Sequence, residues 1–122
     1  MSLHEQIGDE LIREAISRFY DRAFSDLFIG FIFSKFDKNH LIEMQILFAT
    51  AMLGGPKNYR GKPLKAAHMK LPLKGPHFDR RQVIMREVLE ELNLDKKLVD
   101  QWMELEEGLR PLIISDKAPC SE

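Results

Sequence analysis

Cysteine and tryptophan are each present once in the 122 residues, as Cys120 and Trp102. A lone thiol excludes an intrachain disulfide and any multi-cysteine metal site, and it fits a reducing, cytoplasmic setting. Charge of one sign is also lacking: 18 basic against 19 acidic side chains leave a formal net charge of -1. That balance supplies no field to gather nucleic acid or an anionic membrane, so neither is expected as a partner. Long apolar runs are missing too. The densest, Leu27 to Phe33, is too short to span a bilayer, and Met1-Ser2-Leu3-His4-Glu5-Gln6 has no basic region followed by an apolar core. Neither an export signal nor an anchor is expected. No Gly-rich dinucleotide fingerprint occurs, so a redox activity would need a separate reductase as electron donor.

What is present suits one globular domain: 44% of residues are apolar and 30% charged. The domain is expected over residues 1–114, followed by a polar tail over 115–122 that contains Cys120. From Ile7 to Phe24 the apolar positions Leu11, Ile12, Ala15, Ile16, Phe19, Tyr20 and Ala23 repeat at helical spacing, with Asp9, Glu10, Arg13, Glu14, Arg18 and Arg22 opposite. Gly8 and Asp9 can start this helix, the acidic pair lying at the positive end of its dipole. Leu27 to Phe33 is rich in aromatic residues and reads as a strand by propensity alone. A short helical turn is the better reading, since no partner strand occurs elsewhere.

A second amphipathic helix is expected from about Asn39 to Leu53. Its stripe Leu41, Gln45, Phe48 and Met52 carries one polar member, beside a neighbouring stripe of Met44, Leu47 and Ala51. A third runs from about His77 to Leu92 with Phe78, Val83 or Ile84, Val88, Leu89 and Leu92 inward, ending at Asn93. Asp95 opens a last helix through Leu98, Val99, Trp102, Leu105, Leu109, Leu112 and Ile113, kinked or ended by Pro111. The pattern is that of an all-α packed domain.

Between the second and third helices lies Leu53-Gly54-Gly55-Pro56-Lys57-Asn58-Tyr59-Arg60-Gly61-Lys62-Pro63-Leu64-Lys65-Ala66-Ala67-His68. The glycine pair can supply a positive-φ helix cap, Pro56 forbids the helix from resuming, and the loop delivers one histidine. On spacing alone such a histidine is most often a surface or hydrogen-bonded residue. Together with Phe19-Tyr20, Phe33, the Leu41, Gln45 and Phe48 stripe, and His77-Phe78, in that order and without insertion, the stretch resembles the truncated haemoglobins. These are the two-over-two globins, and the likeness is greatest to those with a Gly-Gly-Pro motif and a distal tyrosine and glutamine.

The resemblance implies a two-over-two helical sandwich around haem b, with His68 as the proximal ligand of the iron. It implies Tyr20 and Gln45 on the opposite face, donating hydrogen bonds to dioxygen or nitric oxide. Phe33 would lie flat against the porphyrin, Leu41 near the distal entrance, and Phe48, Leu64, Leu73 and Phe78 would complete an apolar wall. Arg60, Lys70 and Lys74 are candidates for the haem propionates. Reversible binding of diatomic ligands is the implied function, with nitric oxide dioxygenation or peroxidase-type chemistry as the associated activities. The sequence departs from the family pattern at Arg81, which replaces an apolar residue near the distal pocket; either the helix is rotated or Arg81 reaches a carboxylate or a propionate. Ala49 stands where some relatives gate a tunnel with a second phenylalanine, and His40 is read as exposed. From a different class, Arg81 also suits a haem-free globin-shaped interaction domain.

Overall fold

The computed structural model of the protein describes residues 1–57 and 73–114, and every element label below counts over these. Tyr59, Arg60, Gly61, Leu64, His68, Lys70 and the tail lie outside the described residues. The described elements are helical: α1 (Leu3–Ile7), α2 (Asp9–Ser25), a 3-10 turn (Gly30–Phe33), α3 (Lys38–Met52), α4 (Gly75–Glu91), α5 (Lys96–Glu107) and α6 (Arg110–Ile113). Among the described residues no helix is long and apolar enough to cross a membrane.

Local chemistry explains the boundaries. Ser2 and Glu5 form a reciprocal capping box at the start of α1, and the Asp37 side chain accepts from the backbone of Asn39 and His40 at the start of α3. At the other end of α3, Gly54 adopts φ 96° and the N–H groups of Gly54 and Gly55 donate to the carbonyls of Ala51 and Thr50. This is a Schellman termination. A Cβ on Gly55 would stand 2.7 Å from the His4 ring, so α1 can rest on this turn only because glycine is there. The His4 N–H donates to the Leu53 carbonyl at 2.8 Å, tying α1 to the end of α3. Asn93 at φ 60° stops α4, in the left-handed region that asparagine tolerates.

Helix α2 packs on α3 and on α4, and α4 packs on α5, which places two helices over two. The shared core holds Ile12, Phe19, Ile29, Phe78, Met85, Val88, Leu89 and Trp102, none of them measurably exposed. The corner after α2 is held by Asp26, which accepts from the N–H groups of Phe28 and Ile29 and from the Arg80 guanidinium of α4. That guanidinium holds the Asp26 carboxyl below the usual carboxylate range.

Three expectations need correction. The last helix breaks at Gly108 and Leu109, before Pro111, which sits in the first turn of α6 where its missing N–H costs nothing. Leu105 and Leu112 of the last apolar row are exposed and Glu106 is buried in that row instead, while of Val83 and Ile84 it is Ile84 that turns inward. On α3 the most deeply buried row is Ile42, Ile46, Ala49 and Leu53, one position beyond the stripe read from the sequence, whose members Leu41, Gln45, Phe48 and Met52 are half-buried.

Candidate functional site

Beside this core, side chains of α2, α3, α4, α5 and α6 line a cavity of about 50 Å³. Tyr20, Gln45, Phe48, Ala49, Arg81 and Glu106 are among its lining. At roughly 30 Å³ per water in the liquid, such a space admits a ligand of one to three heavy atoms.

Tyr20 is brought there by the register of α2, and its ring is fixed by neighbours: Phe19 edge-on at 4.8 Å and Phe33 perpendicular at 5.7 Å. Phe33 in turn stacks on Phe24 at 5.4 Å. The 3-10 turn therefore positions the phenol. Tyr20 is only 7% exposed, and its hydroxyl has no hydrogen-bond partner among the described residues. Burial pushes this phenol up to about 12; the nearby Arg81 cation lowers it and the Glu106 carboxylate raises it. It therefore stays protonated, a hydrogen-bond donor, across the physiological range. Gln45 reaches the same cavity from α3, and its amide too has no partner among the described residues.

Arg81 reaches a carboxylate, the second of the two arrangements its position allowed. Its Nη1 donates to Glu106 Oε1 at 2.7 Å and also to the side chain of Gln82. Glu106 Oε2 accepts from Trp102 Nε1 at 2.7 Å, so both carboxylate oxygens are engaged. The guanidinium lies over the rings of Phe19 and Phe78, at 4.7 Å and 5.5 Å. Burial opposes its charge, yet Glu106 and Tyr20 outweigh burial and raise its pKa. Glu106 and Trp102 had not been anticipated as site residues. The available signal was their i, i+4 spacing on α5, with a carboxylate standing in an apolar row opposite a helix whose inward row contains an arginine.

Of the residues expected at the site, the structure brings Tyr20, Gln45 and Phe48 to one cavity, with Phe33 against Tyr20. Leu41 is half-buried on α3, while Leu73 and Phe78 belong to the buried core and do not line this cavity. Phe78 lies beneath both Arg81 and Arg110. Lys74 and His40 are exposed. His68 and Leu64 lie outside the described residues.

A bundle of two helices over two, with a tyrosine from one long helix and a glutamine from the next lining a single small buried cavity, has the architecture of a two-over-two globin. The chain belongs to the bacterial-like globin family, whose model matches residues 2–114. It is 28% identical over 110 residues to a group 1 truncated hemoglobin of Tetrahymena pyriformis, covering 89% of this chain and 91% of that one. To a group 2 truncated hemoglobin of Bacillus subtilis it is 29% identical over 99 residues, covering 78% and 74%. The solved Fe(III) form of the Tetrahymena pyriformis protein superposes with a TM-score of 0.89 at 26% identity, over 94% of this chain and 99% of that one. A 2/2 hemoglobin from Synechococcus sp. PCC 7002, in the cyanomet state with covalently attached heme, gives 0.84 at 26% identity over 92% and 95%. Membership of this family carries a haem cofactor and haem-based binding of small diatomic ligands such as dioxygen. The residues present fit that group: a buried phenol and a half-buried amide, neither with a partner among the described residues, share a cavity of ligand size, beside an apolar core.

Proposed function

We propose that residues 1–114 form a single haem b domain in which His68 ligates the iron and Tyr20 and Gln45 donate hydrogen bonds to a diatomic ligand on the other face. The observation that carries this reading is the buried Tyr20 hydroxyl, without a partner among the described residues, in a cavity shared with Gln45. A buried donor left unmade costs stability, and a ligand that accepts from it recovers that cost on binding. Phe33, Leu41, Phe48, Leu64, Leu73 and Phe78 are the residues assigned to hold the porphyrin. The haem, when bound, supplies the iron that coordinates the ligand. Phe19, Phe24 and Phe33 keep the phenol in one orientation, so little ordering remains to be done when the ligand arrives.

Dioxygenation of nitric oxide needs the same two donors, whose hydrogen bonds favour negative charge on a bound dioxygen, together with an electron from a separate reductase. A globin-shaped domain without haem is the contrary reading.

The test is the absorption spectrum of the purified protein reconstituted with haemin: ferric, reduced with dithionite, and then exposed to dioxygen, beside His68→Ala. Stoichiometric uptake is expected, with a Soret band that shifts at each step and weakens or changes character in the variant. Absent uptake, or spectra indifferent to His68, would replace the haem reading with the interaction domain.

A further inference from the structure

We propose that the corner between α2 and α3 is an interaction surface whose partner is a second copy of this chain, paired through a twofold axis. The inference concerns the outer face of the corner and stands independently of the haem reading above.

The core does not require this outer face to be apolar. In a 3-10 turn, residues three apart lie above one another, and here Ile29 and Ile32 form the buried row. The opposite row is Phe28 and Phe31, 49% and 55% exposed; beside them Leu27 is fully exposed and Phe36 is 42% exposed. Three phenylalanines and a leucine thus face water within ten residues, the kind of contiguous apolar surface that marks a contact site. The surface is also held in one arrangement. Asp26 accepts from the N–H groups of Phe28 and Ile29 and is clamped by Arg80, while the His77 ring lies 5.1 Å from that of Phe28 and 5.5 Å from that of Phe31. A Cβ on Gly30 would stand 2.7 Å from the Phe24 carbonyl oxygen, so the turn lies directly on α2. A surface already ordered loses little freedom when a partner covers it.

Charge and area select the occupant. Within the corner, from Asp26 to Lys38, Asp26 is paired with Arg80 and Lys38 with Asp21. Lys35 has no ion pair among the described residues, and Asp37, two residues further on, accepts only from the N–H groups of Asn39 and His40. One free charge of each sign therefore flanks Phe36. A rim of one sign would suit a partner of the opposite sign; this rim complements itself, because a twofold axis sets Lys35 of one copy against the partner's Asp37 and repeats the contact in reverse. A half-exposed phenylalanine presents about 100 Å² and the whole patch on the order of 450 Å². Doubled across the axis, with the rim added, this reaches the roughly 1,000 Å² that a specific interface needs.

The experiment is sedimentation velocity of the full chain, with and without haemin, over a range from about 5 to 500 μM, which brackets the weak association expected of an interface of this size. Expected is a reversible shift from monomer to dimer with a Kd of about 10–100 μM. Leu27→Asp with Phe31→Ser should raise that Kd about tenfold or more and leave the thermal melt within a few degrees of wild type, since both positions are exposed. Lys35→Glu sets carboxylate against carboxylate across the axis and should weaken the dimer about tenfold. Adding Asp37→Asn, which keeps an oxygen to cap α3, should then recover about threefold or more. A chain that stays monomeric throughout, or a dimer indifferent to Leu27→Asp with Phe31→Ser, would overturn the surface; a dimer indifferent to Lys35→Glu would overturn the twofold pairing. Monomer that floats with phosphatidylcholine vesicles, and loses this in Leu27→Asp with Phe31→Ser, would give the patch to a membrane and overturn the proposal as well. Absent haem uptake leaves the result standing, because sedimentation reads the chain and not the iron.

Discussion

Along α2 the interior changes character. Near its start Ile12 and Ala15 belong to a sealed apolar region with Met85, Val88, Leu89 and Val99, all 2% exposed or less. Two to three turns later Tyr20 borders Arg81 and Glu106, with Trp102 donating to the carboxylate. The first region gains stability by removing apolar surface from water and by close fit. The second holds a phenol, an ion pair and an indole, groups whose burial is neutral at best once hydrogen bonds are made and costly where they are not. One continuous bundle thus divides its interior: the sealed region holds the helices together, and that rigidity keeps the polar groups of the other region in place with donors unspent.

The largest effect that separates the two regions comes from the sealed one. Leu89→Ala is expected to cost about 3 kcal/mol of unfolding free energy, by lost transfer energy and the void left behind. Denaturant melts read this cost, while carbon monoxide affinity of the folded, haem-bearing fraction should stay within about twofold. A ligand affinity that falls along with stability would mean that the two regions are not separable. The next effect belongs to the cavity and appears in alkali. The Tyr20 phenol is raised to about 12, against about 10 in an unfolded chain, so between those values the unfolded state releases the proton first. Protons bound are then fewer in the unfolded state, and stability falls as pH rises. The contribution is intact below about pH 10 and is lost progressively toward pH 12, by up to about 3 kcal/mol. Melts at pH 9 and pH 11.5 should show about 2 kcal/mol of this loss in wild type and lack it in Tyr20→Phe; equal alkaline losses in both would show that the phenol is not buried as described.

The helices of the sealed region were legible because period and punctuation agree in them. The run from Ile7 to Phe24 covers α2 except for Ser25, Gly54 and Gly55 close α3, and Asn93 stops α4 as its residue type suggests. Helix α1 was not legible. Its five residues are too few for a periodic signal, and its place depends on the remote contact between His4 and Leu53. The site was legible in part: Phe19-Tyr20, Gln45 and the Gly-Gly-Pro turn carried the family resemblance, and Arg81 stood out as the wrong polarity for its position. Its partner did not stand out. Whether Arg81 meets Glu106, Glu107 or solvent depends on how α4 and α5 are rotated about their axes, and a rotation of one residue's worth exchanges Glu106 for the exposed Leu105. Periodicity fixes a stripe to within about that error, which is why Leu105 was placed inward.

The smallest change in stability should accompany the largest in ligand escape, and one variant reads both. Tyr20→Phe deletes a hydroxyl that has no partner among the described residues and leaves the contacts of the ring with Phe19 and Phe33 in place. Removing a buried donor that makes no hydrogen bond relieves its desolvation, so the variant should be as stable as wild type or up to about 1 kcal/mol more stable at pH 7. On the role proposed for Tyr20, the same deletion in the haem-reconstituted protein removes a hydrogen bond to a ligand that carries negative charge, worth about 1.5–3 kcal/mol, and dioxygen should dissociate roughly ten- to a hundredfold faster. Thermal melts and stopped-flow displacement by carbon monoxide measure the two halves. A variant destabilised by more than about 1 kcal/mol would place the hydroxyl within the Arg81 and Glu106 cluster as a structural member. The contrast between a region that builds the fold and one that holds donors for a ligand would then have to be redrawn with Tyr20 on the other side.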